Sequence, residues 1–276
     1  MSKPKGIKRP LHSSLLLWVF LGVFAAIFLI PFVYAIYTSF IEQQYVDTIA
    51  PLSGFTLDNY KAVFGVNVGR WLFNSAFVAV AILIGNLIVN TMAAFALAKI
   101  KFRGRTAIFF IIIAMMMVPY QVVIIPLYLM MMDLNWLNTY MALIVPFFFQ
   151  GFLVFLMRQF FLTFPDDLLD AAKIDGLSTA GAFLRIVLPN SKIAIATQSI
   201  FSFAGTWNFM TWGQTFINDP NLYILPVGLN TLKNRYYTIP GYTMAGVVVM
   251  TIPILIIFFM MQKYFVQGIV TTGTKE

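Results

Sequence analysis

The chain has no cysteine and one histidine, His12. Disulfides and thiolate metal sites are thereby excluded, and His12 lies in a basic, polar N-terminal stretch that reads as a solvated tail. Charge is scarce as well: 10% of the 276 residues are Asp, Glu, Lys or Arg, where a soluble domain carries about 25%. In their place 60% of the residues are hydrophobic and 17% aromatic, so lipid is the solvent for most of the chain. No Gly-rich phosphate loop ending in Lys-Ser or Lys-Thr occurs, so this chain is not expected to hydrolyse nucleotide, and no cofactor or metal is called for. The net charge of +8 could suit nucleic acid, but the basic residues flank apolar runs. That is the pattern of membrane topology, and no nucleic-acid partner is expected.

Crossing the hydrocarbon as a helix takes about 20 apolar residues. Six stretches qualify: 15–40, 71–98, 106–130, 140–161, 193–216 and 242–265. The expected fold is therefore all-α, a polytopic membrane protein with six transmembrane helices. The first run, 26 residues long, exceeds a signal-peptide core and has no small-residue cleavage site after it, so it is expected to stay as a span. With the N-terminus inside, fourteen of the eighteen Lys and Arg residues fall on inner segments. The positive-inside rule then puts both termini in the cytoplasm. The expected divisions are an N-terminal tail 1–14, a membrane domain 15–265 containing a large inner loop 162–192, and a C-terminal tail 266–276.

That inner loop holds "DDLLDAAKIDGLSTAGAFLRIVLPNSK" (166–192), with four of the ten acidic residues of the whole chain. Pro165 fits a helix start, and Asp166 and Asp167 complement the positive end of its dipole. Leu168, Ala171 and Ala172 fall at i, i+3 and i+4, one face by spacing. Gly176 stands where a helix end needs positive φ. Ser178 can cap a second short helix carrying Phe183, Ile186 and Val187, which Pro189 stops. The result is a helix-turn-helix under the membrane. A hairpin resting on headgroups would be rich in Lys, Arg, Trp and Phe; this one is acidic with an alanine face, which favours a protein partner.

"DAAKIDG", then Phe183, then "LP" resembles the coupling loop of ABC importer permeases, whose pattern is Glu-Ala-Ala, two residues, Asp-Gly, and a Pro about a dozen residues later. Asp170 stands for the usual Glu, keeping the charge, and Ile193 stands about where the family often has a second proline. The resemblance continues in order along the chain: "FTLDNYKAVF" (55–64), "NSAFVAV" and "AAFALAKIKFRGR" within 74–105, "MMMVPYQVVIIPLY", "FLMRQFF", "TWNFM" and the C-terminal "QKYFVQGIVTTGTKE". The chain is similar to carbohydrate-type permease subunits of binding-protein-dependent ABC importers, in particular the maltose-type second subunit. The resemblance implies a prokaryotic cell membrane, a second homologous permease, two ATP-binding subunits, an extracytoplasmic sugar-binding protein and a carbohydrate substrate. It also implies that Asp170, Ala171, Ala172, Asp175, Gly176, Phe183 and Pro189 form the ATPase-coupling loop. An outward loop, 218–241, corresponds to one that reaches the binding protein's cleft, which makes Asn234, Arg235, Tyr236 and Tyr237 candidates for that contact; an ordinary amphipathic loop is the other reading. The tail "TTGTKE" either reaches toward the ATPase interface or is a free end.

No Asp or Glu falls within the six stretches, whereas carriers driven by protons or sodium usually need such groups or unwound helix sites. The polar residues there are amides and hydroxyls. Asn86, Asn90, Gln121, Gln150, Gln198, Ser202 and Asn208 are the candidates for the translocation path. Singly, each more often makes an interhelical hydrogen bond; as a set they suit an uncharged, hydroxyl-rich substrate. Pro119, Pro126, Pro146 and Pro253 either kink helices for packing or free backbone groups near mid-span. The fifteen methionines read as core filling, and Trp71, Trp136 and Trp212 as interface anchors. Two function classes follow: a permease subunit of an ATP-driven importer of a sugar or oligosaccharide, or an ATP-independent channel or secondary carrier. Only the first has a use for the acidic hairpin.

Overall fold

The computed structural model describes residues 11–46, 48, 50–235 and 240–272, with side chains except at 11–15, 232–235 and 263–272. Among the described residues the only extended pairing is an isolated antiparallel bridge, Ile41 with Phe55. The helices in chain order are α1 (Leu11–Ser39), α2 (Asp58–Phe64), α3 (Val68–Lys99), α4 (Arg105–Met116), α5 (Tyr120–Asp133), α6 (Tyr140–Ile144) and α7 (Gly151–Thr163). There follow α8 (Asp166–Ile174), α9 (Thr179–Ala182), α10 (Leu188–Asn190), α11 (Lys192–Trp207), α12 (Met210–Phe216), α13 (Leu225–Arg235) and α14 (Pro240–Thr272). The chain forms two compact units, Met1–Gly65 with Arg235–Val249, and Val66–Asn234 with Met250–Glu276.

Among the described residues, four helical stretches are long and apolar enough to cross a membrane: Leu16–Ser39, Val68–Lys99, Tyr140–Thr163 and Pro240–Gln262. Three of the expected spans, 106–130, 140–161 and 193–216, are interrupted. Over 106–130, α4 and α5 meet at 99°, because Pro119 has no N–H for the ladder and holds its own backbone extended (φ −61°, ψ 133°) as the N-cap of α5. Counted together they make a fifth span. Over 193–216, α11 stops at Trp207 and α12 starts at Met210, with Asn208 and Phe209 outside helical geometry. Of the other prolines, Pro146 sits in a 3₁₀ turn, Val145–Phe147, that divides α6 from α7. Pro126 and Pro253 lie inside continuous helices.

In the first unit, the end of α1 is pinned by Asn59 of α2. This buried amide donates to the carbonyls of Ser39 (3.0 Å) and Ile41 (2.8 Å), two groups the helix end leaves without partners. Ser39 Oγ also meets Tyr60 Oη at 2.8 Å.

In the second unit, α3 is the central post and packs on α7 and α11. Two apolar cores sit toward its opposite ends. One gathers Val78, Ile82, Leu143, Trp212 and Phe216; the other gathers Phe95, Val154, Phe161, Leu169, Phe183 and Val187. Trp71 and Trp212 are buried, and each N–H goes to a carbonyl, Pro220 and Ala142 respectively (both 2.9 Å). They pack protein rather than anchoring at a lipid interface. The methionine clusters differ from the core-filling reading too: Met131 is buried, whereas Met115, Met116, Met117, Met130 and Met132 are exposed.

Candidate functional site

The acidic hairpin folds as its sequence dictates. Pro165 is the N-cap of α8, with Asp166 and Asp167 in its first turn and Lys173 in its last. Gly176 takes φ +80°, and the N–H of Leu177 bonds the Ala172 carbonyl (2.9 Å) while that of Gly176 bonds Lys173 (3.0 Å). This crossed pair is a Schellman ending, and it needs a residue without a Cβ penalty at Gly176. Ser178 Oγ accepts from the Gly181 N–H (3.1 Å) and caps α9. The second helix is not uniform: Phe183–Val187 forms a π turn before α10. Pro189 has no N–H to offer the Arg185 carbonyl, and the ladder widens so that the Leu188 N–H reaches the Phe183 carbonyl. Phe183 and Val187 are buried, with the Phe183 ring 4.8 Å from that of Phe95.

The expected small face of Leu168, Ala171 and Ala172 divides. Leu169 and Ala172 turn into the chain's own core, while Leu168 and Ala171 are exposed. Ala172 therefore seats α8 against the protein. Its free surface runs through Asp167, Asp170, Ala171 and Ile174, spaced i, i+3, i+4 and i+7. Asp170 pairs with Lys173 at 2.8 Å on that surface, and Asp175 is exposed beside it. Ile174, 87% exposed, is an apolar side chain that sequence reasoning passed over; its position four residues after Asp170 was the available signal.

Lys99, at the last turn of α3, ties the hairpin down. Its side chain is 8% exposed, and Nζ donates to the Phe164 carbonyl (2.6 Å) and to Asp166 Oδ1 (2.7 Å). The hydrogen bond and charge of Lys99 hold the Asp166 carboxyl below its ordinary range. Arg158 Nε and Arg105 Nη1 reach other carbonyls at the same end, Leu97 (3.2 Å) and Ile100 (3.4 Å). Three cations thus collar the negative end of the α3 dipole. A cavity of about 340 Å³ opens beside them, with Lys99, Lys101 and Lys173 over a floor that includes Phe95 and Leu169.

Midway along α3 lies the amide cluster. Asn86, Asn90, Thr91, Gln198 and Ser202 are all buried to 1% exposure or less. Gln198 Nε2 donates to the Asn86 carbonyl (2.8 Å) and its Oε1 accepts from Thr91 Oγ1 (3.2 Å). Asn90 Oδ1 accepts from the Gln150 N–H (3.0 Å), at the break before α7. The side chains of Asn86 and Ser202 meet at 2.8 Å in either orientation of the Asn86 amide. With its oxygen toward Gln150 Nε2 (3.0 Å), its nitrogen reaches the Phe147 carbonyl (2.8 Å). Five of the candidate path residues, Asn86, Asn90, Gln150, Gln198 and Ser202, are therefore brought together as a buried fastening of α3, α7 and α11. Gly85 lets the Phe148 ring close over this belt, in space a Cβ would occupy.

The other two separate from them. Gln121 is exposed on α5. Asn208, at the α11–α12 break, lines a cavity of about 310 Å³ with Tyr120, Phe147, Phe209, Met210, Thr211 and Trp212. Three breaks meet there: Tyr120 follows the α4–α5 bend, Phe147 lies between α6 and α7, and Asn208 and Phe209 lie between α11 and α12. Of the outward-loop candidates, Asn234 and Arg235 end α13 with side chains outside the described residues. Tyr236 and Tyr237 lie outside the described residues altogether.

Apolar spans, broken helices around a polar belt and a capped acidic hairpin are the architecture of a polytopic membrane protein. Residues 90–271 match the family described as binding-protein-dependent transport system inner membrane component, and the chain belongs to that family. It is 33% identical over 226 residues to the arabinooligosaccharides transport system permease protein AraQ of Halalkalibacterium halodurans, covering 81% of each chain. It is 34% identical over 214 residues to the sn-glycerol-3-phosphate transport system permease protein UgpE of Brucella abortus, covering 77% of this chain and 76% of that one. In fold it is similar to a chain of a bacterial ABC transporter involved in the import of the acidic polysaccharide alginate. The TM-score is 0.80 at 24% identity, over 95% of this chain and 100% of the other.

Proposed function

We propose that this permease forms half of the translocation path of an ATP-driven importer for a sugar or oligosaccharide, with both termini in the cytoplasm. A second, homologous permease supplies the other half. Two ATP-binding subunits drive the cycle, one of them engaging the hairpin 162–192, and an extracytoplasmic binding protein delivers the substrate. The observation that carries the reading is the hairpin. It is a rigid, capped, acidic element with an outward row of Asp167, Asp170, Ala171 and Ile174, anchored to α3 through Lys99. A row that mixes carboxylates with one bare aliphatic suits a protein cleft better than headgroups. The relatives, which carry arabinooligosaccharides and sn-glycerol-3-phosphate by name, support a small hydroxylated cargo. An ATP-independent channel or carrier has no use for this hairpin.

The test is co-purification of the ATPase, with substrate-stimulated ATP hydrolysis in proteoliposomes. Gly176→Pro, which cannot adopt φ +80°, and Asp170→Lys are expected to insert normally and lose both. Wild-type values for both variants would remove the hairpin as the docking site.

A further inference from the structure

The cavity where the three helix breaks meet is chemically unlike the amide belt beside it. At about 310 Å³ it falls at the lower end of the range for small-molecule sites, roughly 300–1,000 Å³. Its walls are aromatic: the Phe147 ring lies 4.3 Å from Phe209 and 4.6 Å from Trp212, edge-on to the latter. Tyr120 enters from the α4–α5 bend and is 46% exposed. None of the lining residues is Lys, Arg, Asp, Glu or His.

The polar groups are just as selective. The Trp212 N–H is engaged by the Ala142 carbonyl, so Trp212 offers only its ring. One N–H of the Asn208 amide is engaged by the Ala204 carbonyl (2.9 Å), which leaves its oxygen as an acceptor and its second N–H as a donor. The hydroxyls of Tyr120 and Thr211 can donate or accept. Such a site pairs ring C–H faces with aromatic faces and hydroxyls with hydroxyls. A phosphate or carboxylate would find hydroxyls and one amide N–H but no cation among the lining residues, so its charge would go unpaired.

From this arrangement we infer that the cavity is a substrate site for a neutral pyranose or furanose ring, held by the faces of Tyr120 and Phe209 and discriminating against anionic polyols. The inference rests on the importer reading and narrows its substrate class. It moves the cargo contacts of this chain from the amide row to aromatic residues at the helix breaks.

Saturation-transfer NMR on the assembled transporter in nanodiscs tests it, with arabinotriose and glycerol 3-phosphate as probes. Ring protons of arabinotriose are expected to saturate, and the carbon-bound protons of the acyclic glycerol 3-phosphate are not. Tyr120→Leu and Phe209→Leu are each expected to weaken arabinotriose binding about tenfold, in keeping with the loss of one aromatic face. Tyr120→Phe, which keeps the face, is expected to stay close to wild type. Arabinotriose binding that both leucine variants leave unchanged, or saturation of glycerol 3-phosphate alone, would overturn the assignment. ATPase co-purification, read on the same samples, reports the importer reading separately: its loss with the NMR result intact would refute the importer and leave the cavity.

Discussion

Lys99→Met is the perturbation that best tests how the hairpin is joined to the membrane core. The substitution keeps the apolar stem of a side chain that is only 8% exposed and removes the ammonium. Asp166, fully solvated at the surface, loses a screened partner, so the carboxylate half of the contact adds little. The decisive bond is the other one, 2.6 Å to the Phe164 carbonyl, beside a side chain that is 8% exposed. A hydrogen bond from a charged donor to such a group is worth about 1.5–3 kcal/mol, and a central value near 2 kcal/mol corresponds to about a thirtyfold change in an equilibrium. The opening of 165–177 away from α3 should become more frequent by that factor. Amide hydrogen exchange read peptide by peptide on the assembled transporter measures it: peptides covering α8 and its Schellman turn should exchange about thirtyfold faster. Those from the middle of α3 should be unchanged. Lys99→Arg, which retains a charged donor, should fall between the two. Wild-type exchange in the hairpin of Lys99→Met would refute the strut, and the hairpin would then be held by Leu169, Ala172 and Phe183 alone.

The amide belt is expected to act on stability rather than selectivity. Asn86→Leu or Gln198→Leu strands buried partners at a cost of about 1–3 kcal/mol, a fall of about 5 °C in thermal midpoint, with the relative uptake of two sugars unaltered; changed selectivity at an unchanged midpoint would return these residues to the substrate path. Gly85→Val must displace the Phe148 ring that lies over the Gly85 backbone, so it should lower the midpoint further than Val→Ala at the buried neighbour Val78, and an equal or smaller effect would mean that the ring moves freely. The Lys99–Asp166 pair also sets a pH window. Because the Asp166 pKa is lowered from 3.8, its contribution is complete above that value and is lost only as pH falls through the lower folded-state pKa. The difference in thermal midpoint between wild type and Asp166→Asn, small because the carboxylate is screened by solvent, should therefore be flat from pH 8 to pH 5 and close only below about 3.8; a gap that closes near neutrality would mean another group controls the contact.

The parts of the fold that were legible are those set by near neighbours in sequence. Gly176 at positive φ, the Ser178 cap, the acidic first turn of α8 and the apolar length of α1 and α3 each depend on a few adjacent residues. The amide cluster was legible by composition but not by role. Asn86 and Asn90 share a face at i, i+4 whether they bind cargo or Ser202, and only the position of α11 decides between the two.

By itself the sequence determined that lipid is the solvent, that the chain is helical, that the basic residues flank the spans, and that one acidic hairpin closes with Gly and Pro. Composition, charge spacing and local capping suffice for each. Tertiary structure decided which side of α8 is free, because Leu169 and Ala172, not Leu168 and Ala171, meet the core. It decided that Lys99 is a strut, since its partners lie 65 and 67 residues away. It also decided where the aromatics go: Tyr120, Phe147 and Phe209 stand far apart in sequence beside three unrelated breaks, and only the packing of those broken helices gathers them around one cavity.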